Sequence, residues 1–138
     1  MIPVRIVEIR QETPTVKSLR LDLMGQDFSF HPGQWIDCYA EIEGERPVAG
    51  YTLTSSAAVK KTIELAVKEA DNPVTRFIHG EAAVGDTLYV DGGQGDVYYA
   101  REMGDSLVLI AGGIGITPLI SMVRTVRDSH PDLSLIHI

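Results

Sequence analysis

Residues 107–124 read LVLIAGGIGITPLISMVR, and the rest of the chain is organised around them. Four apolar residues, 107–110, have the length and branching of a buried strand. Ala111, Gly112, Gly113, Ile114 and Gly115 follow as a glycine turn. Thr117 is placed as the N-cap of a helix and Pro118 at its first position. Leu119, Ile120, Met122, Val123 and Val126 supply that helix with an apolar face. Strand, glycine turn and helix together aim free backbone N–H groups and a positive helix end at a phosphate. Glycine also lets the backbone approach closely. Read alone, the turn serves packing as readily as phosphate binding.

Composition narrows the function classes. The chain has 138 residues, enough for one domain with a real core, or one small domain and part of another. Its 44% hydrophobic and 22% charged residues describe a globular chain, not a disordered one. A net charge of −7 argues against nucleic-acid binding, which needs a basic face. A single cysteine, Cys38, forms no intrachain disulfide and fits a reducing compartment, so a cytoplasmic location is expected. No apolar run approaches membrane-spanning length, and Arg5, Glu8 and Arg10 interrupt any signal-like core at the N-terminus. His31, His79, His130 and His137 show no metal-ligand spacing.

Upstream of the glycine turn the chain reads as short strands. Residues 5–10 are β-branched without one clean face, and residues 16–22 alternate better. Pro32-Gly33 suits a type II turn before a strand at 35–42. Residues 50–56 form a short β-prone run, and residues 63–68 (IELAVK) put Ile63, Leu65 and Val67 on one face. Pro73 starts a short helix at 74–79 that ends at Gly80. Residues 87–91 are a further strand before a glycine-rich loop at 91–96. Many short strands, one small helix and regular turns predict a barrel.

Taken in order, these stretches resemble the ferredoxin–NADP reductase superfamily. GGIGITP is similar to the pyrophosphate-binding GGxGxTP turn of its NAD(P) domain, and HPGQW to its PGQ-aromatic turn. AGYTLTSS resembles its RxY[ST]xxS flavin segment, and IELAVK the strand that follows. NPVTRFIH resembles its GxxS turn and short helix, and VGDTLYVDGGQGDVYY the stretch that completes the barrel. Within the superfamily the chain is most similar to the oxidoreductase NAD-binding domain-containing proteins. The resemblance implies FAD, with FMN as an option, and NAD(P)H as cofactors. It implies catalytic roles for Tyr51, whose ring lies on the isoalloxazine, and Thr52, whose hydroxyl meets the N5 edge. Gly50, Leu53, Thr54, Val67, Asn72, Val74, Thr75 and Arg76 complete the implied flavin contacts. Gly112, Gly113, Gly115, Ile116, Thr117 and Pro118 are the implied dinucleotide contacts. Read without the resemblance, Tyr51 is a strand tyrosine with its ring in the core, and Thr75 an ordinary first-turn helix residue.

Two departures bear on the flavin. The arginine two residues before the tyrosine is Ala49, and losing such a charged contact typically costs about 1.5–3 kcal/mol. Arg76, or else Arg46, is the expected replacement. The glycine of GxxS is Asn72, which tolerates positive φ better than most residues. His79 at a helix end and Cys38 within a strand need no chemical role.

The expected architecture is an all-β, six-stranded antiparallel Greek-key barrel with one short helix over residues 1–102. The first βα unit of an incomplete α/β NAD(P)-binding domain follows over 103–138. A complete nicotinamide domain needs about 100 further residues, so residues 107–110 are expected to lack most of their cover. Residues 133–138 (LSLIHI) read either as a second strand or as translated adapter sequence. The expected function is a flavin-dependent NAD(P)H oxidoreductase passing electrons to an unknown acceptor, with this fragment itself inactive. The alternative is a binding or regulatory module that keeps the fold with weak or no flavin binding.

Overall fold

The computed structural model describes residues 1–129, 132 and 133. Six strands among the described residues form one antiparallel sheet: β1 (Ile2–Thr13), β2 (Val16–Asp22), β3 (Trp35–Tyr39), β4 (Val48–Thr52), β5 (Thr62–Lys68) and β6 (Thr87–Gln94). Helix α1 (Pro73–Gly80) lies between β5 and β6, and helix α2 (Ile116–Ser129) follows the last strand. The spatial order is β4-β3-β6-β1-β2-β5. Hairpins join β1 to β2 and β3 to β4, and β6 is inserted between them, with Val90 opposite both Ile2 and Cys38.

This is the expected six-stranded antiparallel Greek-key arrangement, but the sheet is not closed by a continuous ladder. Its two edges touch at one bridge, Leu53 opposite Leu65. The Thr54 N–H donates to the Glu64 carbonyl beside it, at 2.9 Å. The inward residues are fully buried, with Ile6, Leu21, Ile36, Leu65 and Leu88 each from a different strand. Burying such side chains contributes about 1.5–3 kcal/mol apiece. Helix α1 adds Val74 and Ile78 to this core.

β1 explains its own irregular sequence. Val4 and Ile6 are buried, then a register shift between Ile6 and Glu8 resets the alternation. Ile9 takes up the core contact and Val7 turns outward. A bulge of this kind puts an extra residue into one strand and so defeats a strict two-residue period. β3 is shorter than expected because the chain turns after Ala40 into the bridge between Ile42 and Glu45. β4 begins two residues earlier than expected and ends at Thr52, leaving Thr54, Ser55 and Ser56 outside it but buried.

The expected strand at 107–110 is not formed. Val108 is 84% exposed and Ile110 89% exposed, and no strand among the described residues pairs with them. A strand exists through its ladder partners, and apolar composition alone does not make one. The alternative strand at the C-terminus lies almost entirely in residues 134–138, outside the described residues. Leu133 is described, and it packs with Leu109 and Leu119 around Tyr99, Met122 and Val126. No described helix is long and apolar enough to cross a membrane.

Candidate functional site

β4 alternates so that Ala49 and Tyr51 pack against the core, while Gly50 and Thr52 face outward. Tyr51 is only half-buried, and its hydroxyl reaches α1, 2.5 Å from the Thr75 hydroxyl. Thr75 is held there by the cap of α1. The Asn72 side chain accepts a hydrogen bond from the Thr75 N–H at 2.8 Å, and Pro73 occupies the first turn. Asn72 sits at φ −132, so the expected tolerance of positive φ is not called on; it serves as an N-cap instead. Burial pushes the Tyr51 phenol up to about 12, against the opposing pull of the Thr75 hydrogen bond. Thr52 stands opposite Trp35, half-buried, and its hydroxyl has no partner among the described residues.

Neither candidate for the absent arginine is free. Arg76 is ion-paired with Asp71. Arg46 lies 3.5 Å from the Glu41 carboxylate, and its guanidinium rests 4.2 Å from the centre of the Tyr89 ring. Leu53, Val67 and Val74 are fully buried, so only their backbones can reach a ligand. The Val67 carbonyl lies 2.9 Å from His79 Nε2, which accounts for His79 structurally. Gly50 lies under the Trp35 indole, where a Cβ would come to 3.4 Å.

The glycine turn takes a tight form. Gly113, Ile114 and Gly115 make a 3-10 turn, with Gly113 at φ 57. A Cβ on Gly112, Gly113 or Gly115 would meet nothing within 4 Å among the described residues. Internal packing therefore does not require glycine at Gly112 or Gly115. The expected cap is corrected: α2 begins at Ile116, so Thr117 and Pro118 lie inside its first turn. The Thr117 hydroxyl donates to the Ile114 carbonyl at 3.0 Å, because the 3-10 turn leads straight into the helix and brings that carbonyl within reach.

The buried face of α2 also differs from the expected apolar stripe. Thr117, Ser121, Met122, Thr125 and Val126 are buried, while Leu119, Ile120 and Val123 are only half-buried. Ser121 Oγ donates to the Ser55 carbonyl at 2.6 Å, and the Ala57 N–H donates to Thr125 Oγ1 at 2.9 Å. Arg124 Nη1 donates to the Thr54 carbonyl at 2.9 Å and to Glu64 Oε2 at 3.0 Å. Glu64 also takes Arg20 Nε, at 3.1 Å. Hydroxyl residues at 117, 121 and 125 share one helix face by their spacing of four, and that pattern was available in the sequence.

A cleft of about 270 Å³ opens where α2 meets the barrel, lined among others by Thr54, Glu64, Ile116, Thr117 and Arg124. The structure thus brings Thr54 of the expected flavin segment beside Ile116 and Thr117 of the expected dinucleotide segment. Tyr51 and Thr75 form a separate pair outside this cleft.

Comparisons with known proteins bear on the family and the fold. Residues 3–99 match the family model described as oxidoreductase FAD-binding domain. The chain is 39% identical over 132 residues to oxidoreductase NAD-binding domain-containing protein 1 of Danio rerio, covering 91% of this chain and 48% of that protein. It is 34% identical over 139 residues to the glycine betaine monooxygenase reductase subunit of Chromohalobacter salexigens, covering 97% of this chain and 38% of that protein. The chain therefore spans less than half the length of these relatives. Among solved structures, the flavohem-like FAD/NAD binding domain of nitric oxide dioxygenase from Vibrio cholerae superposes with a TM-score of 0.79. The two are 26% identical, with 92% of this chain and 57% of that one covered.

Proposed function

This chain belongs to the oxidoreductase FAD-binding domain family, and from that premise we propose that it is the flavin-binding part of an NAD(P)H oxidoreductase. In this reading residues 1–102 are the flavin domain, and the residues from 103 open a nicotinamide-binding domain. The observation that carries it is the Tyr51–Thr75 pair, a half-buried aromatic ring tied to the capped end of a helix. A flat, polar-edged ring is held by an aromatic face and a hydroxyl, which Tyr51 and Thr52 supply. A phosphate is held by a hydroxyl and the positive end of a helix, which Thr75 and the start of α1 supply, although the Thr75 N–H itself is given to Asn72. The open glycines at 112, 113 and 115 leave room for a dinucleotide phosphate against the start of α2.

The bound flavin supplies hydride acceptance and onward electron transfer. The residues of this chain supply placement. Tyr51 holds the ring plane, Thr52 offers its free hydroxyl at the ring's edge, and the glycine turn and Thr117 hold the nicotinamide dinucleotide's phosphates. FAD fits the family best, and FMN is the alternative to test. The electron acceptor is a separate component, an oxygenase being the kind named for the Chromohalobacter relative. The one free, buried cysteine suits the reducing cytoplasm.

One observation favours a second reading. Ala49 stands where the resembled flavin segment has an arginine, and Arg76 is already paired with Asp71. A module with weak flavin binding and a regulatory role has the same fold. An absorption spectrum of the purified full-length protein, before and after anaerobic NADH or NADPH, separates the two. Flavin bands that bleach with nucleotide support the reductase. A colourless protein that stays colourless with added FAD and FMN supports the module.

A further inference from the structure

We propose that Arg124 is a positioning residue that locks the helix carrying the dinucleotide turn onto the segment following Tyr51 and Thr52. The proposal rests on the oxidoreductase reading and deepens it. The stretch 54–57 is met by three side chains of α2 through its backbone: Arg124 at the Thr54 carbonyl, Ser121 at the Ser55 carbonyl, and Thr125 at the Ala57 N–H. Each of these acts on a main-chain atom, so the contact fixes where the chain runs without depending on the side chains of 54–57. Thr54 is two residues from Thr52, and the glycine turn adjoins the first turn of α2. A shift of α2 therefore changes the separation between the phosphate end of the nucleotide and the hydroxyl at the flavin edge.

Arg124 is the centre of this seam because it joins α2 both to the 54–57 stretch and to β5. One guanidinium nitrogen, Nη1, donates both to the Thr54 carbonyl and to Glu64 of β5. Glu64 is held in turn by Arg20 of β2, and Arg20 by Glu8 of β1 at 2.9 Å. The helix is thereby referenced to three adjacent, hydrogen-bonded strands of the sheet. Fixed charge-assisted hydrogen bonds set geometry more tightly than apolar contact, which tolerates sliding. Hydride transfer is steeply sensitive to donor–acceptor separation, so such a reference has a kinetic consequence.

The test uses full-length protein with Arg124→Met, which keeps an apolar stem and removes the donors, and Arg124→Lys, which restores one charged donor. Flavin affinity, the rate of flavin reduction at saturating NADH or NADPH, and amide hydrogen exchange are measured on each. The proposal predicts unchanged flavin affinity and reduction slowed by about 10–100-fold in Arg124→Met, with partial recovery in Arg124→Lys. It also predicts that the amides of α2 and of 54–57 lose protection together while those of β1–β3 do not. Unchanged reduction overturns it, and so does slowed reduction without faster exchange at 54–57. Loss of protection throughout the sheet overturns it as well, since the residue is then merely structural. If wild-type flavin is not reduced by either nucleotide, the oxidoreductase reading fails. The exchange pattern then judges the lock by itself: joint loss at α2 and 54–57 supports it, and separate behaviour overturns it.

Discussion

Tyr51 and Thr75 meet through their hydroxyls at 2.5 Å across a separation of 24 residues. One belongs to the edge strand β4 and the other to the capped first turn of α1. The contact joins the residue expected against a flavin ring to the residue expected at its phosphates. Thr75→Ala removes the hydroxyl through which the two meet. It is expected to weaken FAD binding by about 1.5–3 kcal/mol, the range for a hydrogen bond to a charged group. Thr75→Ser is expected to stay near wild type, and Tyr51→Phe to lose less than Thr75→Ala. FAD titrations followed by flavin absorbance check the order. Equal affinities for wild type and Thr75→Ala would remove Thr75 from the site.

The Tyr51 phenol gives a pH signature. Burial raises it from 10.0 to about 12. The folded protein therefore keeps a proton there that the unfolded chain gives up from about pH 10. The stabilisation is complete below pH 10 and is lost as pH climbs toward 12. Phenolate absorbance titrations of wild type and Tyr51→Phe should differ by one late-titrating tyrosine. Alkaline denaturation of Tyr51→Phe should be less steep in the same window. If no tyrosine titrates late, Tyr51 is not buried in solution as it is in this structure.

Gly33 shows why the PGQ turn carries a glycine. Its φ is +111, and an added Cβ would lie 2.5 Å from the Val97 carbonyl oxygen and 2.7 Å from Met122 Cε. Gly33→Ala thus combines backbone strain with a backbone clash. It is expected to cost about 1–3 kcal/mol and to lower the thermal midpoint. Gly25→Ala is the control, because its added Cβ meets nothing within 4 Å although φ is +75. A Gly33→Ala midpoint no lower than that of Gly25→Ala would contradict the packing described for this turn.

Cys38 is fully buried in β3, and burial pushes its thiol up to about 12. Thiolate is the reactive form, so native protein should resist thiol reagents at neutral pH and react once unfolded. Reaction in the native state at the rate of the unfolded chain would show that β3 opens readily.

The barrel was legible in the sequence because its strands are short, apolar on one face and separated by turn residues. Val16–Asp22 and Thr62–Lys68 illustrate this, pairing in full register with Leu19 opposite Leu65. The helix at Pro73–Gly80 was marked by a proline at its start and a glycine at its end. Residues 107–110 misled for a physical reason: four apolar residues fit a buried strand, yet strand formation depends on partners. Helix α2 misled differently. Met122 and Val126 of its apolar stripe are buried, but the other segment it packs on is polar backbone around Thr54 and Ser55. Hydroxyl side chains and Arg124 satisfy those groups, and Leu119, Ile120 and Val123 do not. The site residues on β4 and α1 came from family resemblance, since a tyrosine and a threonine 24 residues apart show no pairing by sequence pattern.

The proposed flavin site lies where Tyr51 and Thr75 meet. Its most direct test is equilibrium titration of purified wild type and Thr75→Ala with FAD and with FMN. Wild type is expected to bind saturably and to retain flavin through gel filtration, and Thr75→Ala to bind more weakly while still fully folded at the titration temperature, its loss of the Tyr51 hydrogen bond lowering the thermal midpoint only modestly. Wild-type protein that remains folded and retains neither flavin at saturating concentration would contradict it.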